Sequence, residues 1–150
     1  MIKNQHPEFY KNIQKISIIN SKDVLYNLQS VLQRKNIFFD EDAALVIRPL
    51  PEDIRYPSSS KMTDGGMILS YKIAISIIEQ SVETEKKLEK LQNKRVIMVL
   101  HYNNSGRMII GCNENPLTFL YEDDNTINPS SNNGFNIECS GNTYFTKVNQ

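Results

Sequence analysis

Residues 69–77 read Leu-Ser-Tyr-Lys-Ile-Ala-Ile-Ser-Ile, so large apolar side chains alternate with small or polar ones. Because successive side chains of a β-strand point to opposite faces, this alternation predicts a long strand with one face in a core and the other in solvent. Half-buried strands are typical of antiparallel sheets, so this stretch predicts that the strands around it form an antiparallel sheet.

A hairpin is predicted further along the chain. Residues Arg95–Tyr102 contain the apolar run Val-Ile-Met-Val-Leu and predict a strand, and residues 107–112 predict the strand that returns from it. The connecting residues 103–106 read Asn-Asn-Ser-Gly, which is typical of a hairpin turn.

Two more segments show the same alternation. Residues 117–121 and 135–139 both carry apolar side chains at their first, third and fifth positions, which predicts a strand in each. The polar stretch 122–133 between them is expected to be a loop, and residues 143–148 are expected to form a last edge strand. The charged stretch 81–93 predicts a short surface helix or a mobile excursion, anchored only by Leu88 and Leu91.

The first part of the chain has a different pattern. Residues 15–20 predict a short strand, and residues 21–35 predict a helix because their apolar residues recur on one helical face, with Ser21 as N-cap. Short strands are predicted at 37–39 and 44–48. Prolines then predict an irregular connection over 49–60.

These elements predict a mainly β fold, an antiparallel β-sandwich or barrel with one or two short helices; an α+β fold is the alternative. One domain is expected over residues 1–150, since the chain shows no internal repeat and has the length of a single domain. Its N-terminal region, 1–61, contains the helix, a strand and the proline-rich connection, and residues 62–150 form the antiparallel β region.

Composition excludes several classes of function. The 17 basic and 17 acidic residues give zero net charge, which argues against a nucleic-acid binder that works by neutralising phosphates and against a polybasic membrane-surface protein. No sequence-specific nucleic-acid partner and no membrane partner is expected. A protein near its isoelectric point tends to associate. The N-terminus has no apolar signal region and the chain has no transmembrane run, so it is expected to stay in the cytoplasm unless it leaves inside a larger particle.

Residues with catalytic or ligand-binding chemistry are few. The two histidines, His6 and His101, have no identifiable partner, and no serine stands in a nucleophile elbow. Cys112 and Cys139 are too few for a zinc site and are expected to be buried small hydrophobes, with a disulfide between them left open. We therefore predict no catalytic residue, no metal site, no cofactor-binding residue and no enzymatic activity.

Two further motifs are weighed and given structural interpretations. Residues 64–66, Asp-Gly-Gly, lack the Lys-Ser/Thr of a phosphate loop and predict a tight turn. The acidic run Glu122, Asp123 and Asp124 lacks the spacing of a calcium loop, so a solvated loop is the preferred interpretation.

The C-terminal part of the chain, about 62–146, resembles a known family. It resembles small structural proteins encoded in tailed phages and prophages of Bacteroidota, the crAss-like phages included, whose genes lie among head–tail connector and tail genes. The residues that carry this resemblance are Asp64, Gly65, Gly66, Tyr71, Gly106, Gly111, Pro116, Leu117, Tyr121, Asn133, Gly134, Ser140 and Gly141.

The resemblance implies a virion component without catalysis, assembled in the host cytoplasm. A ring of six or twelve copies in the neck or tail, in contact with portal, connector or tail proteins, is the specific expectation. Two alternatives are a ligand- or glycan-binding β-sandwich, in which Tyr10, Tyr26 or Tyr102 would replace the missing tryptophan, and a small enzyme built around His101 and a carboxylate.

The zero net charge is a cancellation between two unlike parts. Residues 1–102 hold 15 basic and 12 acidic side chains, a net +3, and residues 103–150 hold 2 basic and 5 acidic ones, a net −3. If the two parts lie on different faces, the basic face of one subunit meets the acidic face of the next. Glu122, Asp123 and Asp124 are the candidate interface residues of this hypothesis.

Overall fold

The computed structural model describes residues 13–48, 54–55, 58–63, 66–77, 82–103, 106–124, 134–143 and 148–149. Within these ranges the chain forms ten strands and two α-helices. The strands are β1 Ile13–Asn20, β2 Leu45–Ile47, β3 Ile54–Arg55, β4 Ser58–Thr63, β5 Gly66–Ile77, β6 Arg95–Tyr102, β7 Arg107–Ile110, β8 Leu117–Asp124, β9 Gly134–Thr143 and β10 Val148–Asn149. The helices are α1 Leu28–Leu32 and α2 Val82–Leu91.

All strand pairings are antiparallel, and β6 lies at the centre of the sheet. On one edge it pairs with β1 along its whole length, from Tyr102 opposite Ile13 to Val96 opposite Asn20. On its other edge it pairs first with β7 and then with the start of β8. The sheet continues through β9 to β5, which carries β3 and β4, while β2 borders β1 and β10 borders β7.

The first hydrophobic core lies between the two halves of this sheet. The alternating apolar residues of β5, β8 and β9 face those of β1, β2, β6 and β7, which gives a sandwich-like arrangement. Helix α2 closes one end, and its buried residues are the two predicted anchors, Leu88 and Leu91. The predicted mainly β fold with short helices is thereby confirmed.

A second core covers the opposite face of β1, β6 and β7. Residues 21–44, here called the covering segment, pack Val24, Tyr26 and Ile37 against Ile97 and Val99 of β6. The hydroxyl of Tyr26 donates a hydrogen bond to the Lys35 carbonyl at 2.8 Å, so the buried ring keeps its polar end satisfied. The run Val-Ile-Met-Val-Leu of β6 has no polar positions because both of its faces are buried.

The predicted helix over 21–35 is wrong in its extent. A 3-10 turn at Ser21–Asp23 is followed by extended backbone, and α1 begins only after the N-cap Asn27. The cause lies far along the chain, where the Asn113 side chain bonds the carbonyls of Ser21 and Val24 and the N–H of Tyr26. These bonds use backbone groups that a continuous helix would need for itself.

Other boundaries also differ from the predictions. Residues 37–39 form no strand. Residues 54–55 and 58–60 of the predicted irregular connection belong to β3 and β4, because the long β5 offers both strands an edge for pairing. Strand β8 extends through Glu122 to Asp124 instead of ending in a loop, since its pairing with β9 runs to Gly134. The last strand comprises Val148–Asn149 only, and residues 144–147 lie outside the described ranges.

The two cysteines are free, which answers the question of a disulfide between them. Cys139 lies in the first core and Cys112 in the second, so different layers of side chains surround the two thiols. Burial raises the pKa of the Cys139 thiol far above its ordinary value. Both behave as the small buried hydrophobes that the sequence predicted.

Gly141 allows β9 to approach the start of β8 closely. A Cβ at this position would lie 3.0 Å from Cδ2 of Leu117 and 3.1 Å from the carbonyl oxygen of Pro116.

We expect Gly141→Ala to lower the free energy of unfolding by about 1–3 kcal/mol through overpacking. Urea unfolding followed by circular dichroism measures this loss. The control is Ser140→Ala, for which we expect a change of at most about 0.5 kcal/mol; equal stability of the two variants would contradict the overpacking argument.

Candidate functional site

The outer face of strands β8, β9 and β5 presents polar side chains to solvent. Inward-facing residues of β5 such as Ile73 and Ile75 are buried, whereas Lys72 and Ser76 between them are exposed. The covering segment packs on the other half of the sheet, so it leaves this face uncovered. We call this surface the outer face.

Strand register places the side chains of the outer face in rows. Arg95 lies opposite Thr118, Thr118 opposite Ser140, and Ser140 opposite Lys72. This basic row therefore has a cation at each end and two hydroxyls between them. Its span across four strands is about 14 Å.

The rows that follow along β8 change in character. The next row holds Leu120, Glu138 and Ala74, and the row after it holds Glu122, Asn136 and Ser76. The rows at Thr118 and Glu122 are four residues apart on β8, or about 13 Å. The outer face is therefore basic at one end, apolar in part at its middle, and acidic at the other end.

Hydrogen bonds between neighbouring strands hold several of these side chains. The Ser70 hydroxyl donates to Oδ1 of Asn142 at 2.6 Å, and the Ser76 hydroxyl donates to Oδ1 of Asn136 at 3.0 Å. Lys72 lies 4.0 Å from a carboxylate oxygen of Glu138, and both side chains are largely exposed. Exposed pairs of this kind contribute little to stability, about 0–1 kcal/mol.

The outer face carries two grooves. A groove of about 650 Å³ is lined by residues that include Ser76, Leu120, Glu122 and Glu138. A second one, of about 500 Å³, lies at the basic end, and Arg95 contributes to its wall. It brings together four residues of the resemblance that are far apart in sequence: Tyr71, Pro116, Ser140 and Gly141.

The side chain of Gln92 supports the wall of the larger groove. Its Oε1 accepts the N–H of Tyr121 at 2.9 Å, and its Nε2 donates to the Tyr121 carbonyl at 3.4 Å. The Gln92 amide therefore bonds the backbone of β8 as a neighbouring strand would, at a position that β6 does not reach. Backbone bonds of Phe119 with Lys94 and Asn93 continue the same edge.

The remaining residues of the resemblance have structural positions. Tyr71 and Leu117 lie in the first core, Tyr121 packs against it, and Gly111 has a φ of 95°, which favours glycine as the chain leaves β7. Gly66 and Gly134 are the first residues of β5 and β9, and the Gly106 carbonyl accepts the Tyr102 N–H at 2.9 Å within the β6–β7 hairpin. Asp64, Gly65 and Asn133 lie outside the described residues.

His101 has a partner that sequence reasoning did not identify. The hydroxyl of Ser17 on β1 lies 3.2 Å from Nε2 of His101, on the side of the sheet that faces the covering segment. Nearby, Lys15 donates to Glu41 at 2.9 Å. Ser17 is 0 % exposed, so the imidazole satisfies a buried hydroxyl. The polar serine between Ile16 and Ile18 was the available signal, but its partner lies 84 residues away.

The environment of His101 predicts acid sensitivity. Burial lowers the pKa of His101 below its ordinary 6.5, and the positive charges of Lys15 and Arg107 lower it further, whereas Glu41 opposes the shift. The unfolded chain therefore binds more protons between pH 6.5 and the folded pKa, so the free energy of unfolding falls as the pH falls through this window.

We expect His101→Gln to reduce this slope. Thermal unfolding from neutral pH down to about pH 5 measures it. The Lys15 hydrogen bond lowers the pKa of Glu41 below its ordinary 4.5. The stability that the ionised Glu41 contributes is therefore lost only at lower pH, and this loss does not affect the slope measured for His101. An unchanged slope in the variant would show that another group causes the acid sensitivity.

The residues that the structure describes contain neither a metal-binding cluster nor a membrane-spanning helix. No group of three or more His, Cys, Asp or Glu side chains there is placed to hold a metal ion. No helix in the same ranges has the length and hydrophobicity needed to cross a membrane.

The covering segment exposes large apolar side chains. Leu25 is 82 % exposed, Leu32 65 % and Phe38 83 %, although the chain around them packs into the second core. In the described ranges the other exposed large apolar side chains are Val82 and Leu120. Three of five therefore lie within fourteen residues of one segment.

The chain matches no family model, no curated protein and no solved structure in comparisons with each of them.

Proposed function

We propose that this chain is a non-enzymatic structural protein of a tailed-phage virion, a subunit of a ring in the head–tail connector or tail. The ring contains six or twelve copies, is assembled in the host cytoplasm, and contacts portal, connector or tail proteins. It binds no cofactor, no metal ion and no specific nucleic-acid sequence.

The observation that carries the proposal is the exposure of Leu25, Leu32 and Phe38 on the covering segment. Exposed apolar side chains concentrated on one element mark surfaces that another protein covers. In a ring, each copy covers this surface with a different surface of its neighbour, and the rotation closes after a fixed number of copies.

The resemblance of residues 62–146 to small phage structural proteins supports the same class of function. Its residues Leu117 and Tyr71 build the first core, and Gly141 sets the distance between two strands. Residues with such roles stabilise the fold, which is consistent with a family of structural proteins.

Native mass spectrometry of the purified chain tests the ring. We expect a discrete species of six or twelve copies, and we expect Leu25→Lys combined with Phe38→Lys to reduce it to smaller species while the circular dichroism spectrum is retained. The matched control is Val82→Lys, which changes another exposed apolar residue, 65 % exposed, on α2. A strictly monomeric chain that mass spectrometry does not find in virions would refute the proposal.

The larger groove favours a second candidate, a ligand- or glycan-binding β-sandwich. Its polar lining, including Asn136 and Glu138, offers hydrogen-bond partners for hydroxyl groups. Of the tyrosines considered for stacking, Tyr26 is buried, Tyr102 is half-buried, and Tyr10 lies outside the described residues. Calorimetric titration with oligosaccharides tests this candidate, and binding lost in Asn136→Ala would favour it over the ring.

A further inference from the structure

We propose that the outer face pairs two copies of this chain face to face, around a two-fold axis that reverses the direction of the strands. This pairing uses a different surface from the ring contact and does not depend on it. The occupant of the outer face is a second copy because the charges of this face complement themselves.

The complementarity follows from the rows. Arg95 marks the basic end and is exposed, and Glu122 marks the acidic end and is also exposed. Lys72 and Glu138 lie within 4.0 Å of each other, so each already has a counter-charge. The separation of about 13 Å between the two ends exceeds the Debye length at physiological ionic strength, so Arg95 and Glu122 of one chain neutralise each other poorly.

Two-fold geometry brings these ends together. Reversing the strand direction lays the Thr118 row of one copy, which begins at Arg95, over the Glu122 row of the other, and the symmetry makes this contact twice. The middle row, which holds Leu120, Glu138 and Ala74, meets the middle row of the second copy, and each Glu138 there has Lys72 of its own chain as counter-charge. Leu120 is 41 % exposed in the single chain, so the pairing removes apolar surface from water at its centre.

Within the described ranges, one acidic side chain lies at the basic end, and it has its own partner. Glu114 lines the smaller groove beside Arg95, and its Oε2 accepts the backbone N–H of Leu28 at 2.6 Å. This bond holds the Glu114 carboxylate toward the covering segment. The positive charge of Arg95 therefore remains available to a second copy.

The two halves of the sequence with opposite net charge both contribute charged side chains to this face. Arg95 and Lys72 come from residues 1–102, and Glu122 and Glu138 come from residues 103–150. The expectation that the halves lie on different faces does not hold for these four side chains, because antiparallel pairing interleaves the two halves on one surface. The result is a self-complementary face.

A charge-swap experiment tests the pairing. Sedimentation equilibrium is measured for Arg95→Glu, for Glu122→Arg, for their equimolar mixture and for the chain with both changes. We expect each single variant to self-associate about tenfold or more weakly than the unmodified chain, since two attractive pairs become repulsive. We expect the mixture and the double variant to recover association.

The control is Lys22→Glu, which changes the charge by the same amount on the covering segment, away from the outer face. It should leave the two-fold contact unchanged. Recovery in the mixture as one-to-one pairs would support the proposal, as would weakening by added salt. Association that is equal in all variants, or absent in the unmodified chain, would overturn it. The ring variants Leu25→Lys and Phe38→Lys keep the outer face intact, so failure of the ring and failure of the pairing are distinguishable.

Discussion

Replacing Phe119 by alanine is expected to lower the free energy of unfolding by about 3–5 kcal/mol, the range measured when buried aromatic residues are truncated. Phe119 is 0 % exposed and lies on β8 in the first core. Its ring centroid lies 6.3 Å from that of Tyr121 at a tilt of 44°, so truncation also removes an aromatic contact. Position 119 is where the two halves of the sheet meet behind α2.

The backbone of residue 119 is unaffected by the change. Its N–H bonds Lys94 and its carbonyl accepts from Asn93, and both bonds are available to alanine. The loss therefore measures side-chain packing and the cavity left behind, with little contribution from the sheet pairing. Urea unfolding with a constant m-value is the measurement, because a changed m-value would signal a different compactness of one state.

Leu120→Ala is the matched control for Phe119→Ala. Leu120 is the next residue on the same strand and points to the outer face, so its truncation should cost less than about 1 kcal/mol. If the two variants lost equal stability, β8 would not have one buried and one exposed face, and the assignment of the first core would be wrong. Since the pairing of two copies contacts Leu120, the comparison is made at low protein concentration.

The strands could be predicted because their signal is local. Over residues 69–77 of β5 and 135–139 of β9, large apolar residues alternate with small or polar ones, so the sequence carries both the element and its buried face. Strand β6 was predicted with its observed boundaries, since a run buried on both faces is apolar throughout. Helix α2 agrees with one of the two interpretations that the sequence left open for residues 81–93, the short surface helix, whose two anchors are three residues apart.

The covering segment could not be predicted because its structure depends on distant partners. Apolar residues at helical spacing occur over 21–35, but Leu25 and Leu32, which belong to that stripe, are exposed. Val24 of the same stripe is buried together with Tyr26, which is not part of the stripe, against strands that follow some seventy residues later. Helical periodicity predicts the buried face only when one continuous helix carries the apolar residues. Here residues 24–27 are not helical and separate the 3-10 turn from α1.

The candidate site was partly visible in the sequence. The polar positions of the outer face, such as Lys72 and Ser76, follow from the alternation of β5. The arrangement of these side chains in rows does not follow from the alternation. It depends on the register between strands that are not neighbours in sequence, such as Arg95 beside Thr118. The acidic run was noticed as an interface candidate, and of its three residues the structure describes the side chain of Glu122 alone.

Asn113→Asp is expected to lower the free energy of unfolding by about 2–4 kcal/mol, because it leaves two backbone carbonyls without their donor and brings a negative charge toward both. In the native chain the Asn113 amide nitrogen donates to Ser21 at 2.8 Å and to Val24 at 3.0 Å. Its Oδ1 accepts the Tyr26 N–H at 2.6 Å, a bond that aspartate keeps. The change therefore isolates the two donor contacts at nearly constant volume.

The pH dependence of this variant separates charge repulsion from lost packing. Protonation of the new carboxyl removes its charge and provides one donor, so the stability difference from the unmodified chain should narrow as the pH falls toward about 4. Asn113→Ala loses both donor contacts and also the bond from the Tyr26 N–H, but it gains no titratable group, so its stability difference should not narrow in this way. Asn103→Asp, at an exposed position, is the control for the chemical change itself.

Hydrogen exchange locates the effect of Asn113→Asp within the molecule. Since Asn113 fixes residues 21–26 and Glu114 beside it caps the N–H of Leu28, exchange should accelerate across the covering segment and α1. The pairing of β5 with β9 belongs to the first core and should keep its protection. Equal acceleration in both regions would mean that the two cores unfold as one unit and that Asn113 stabilises the whole sheet.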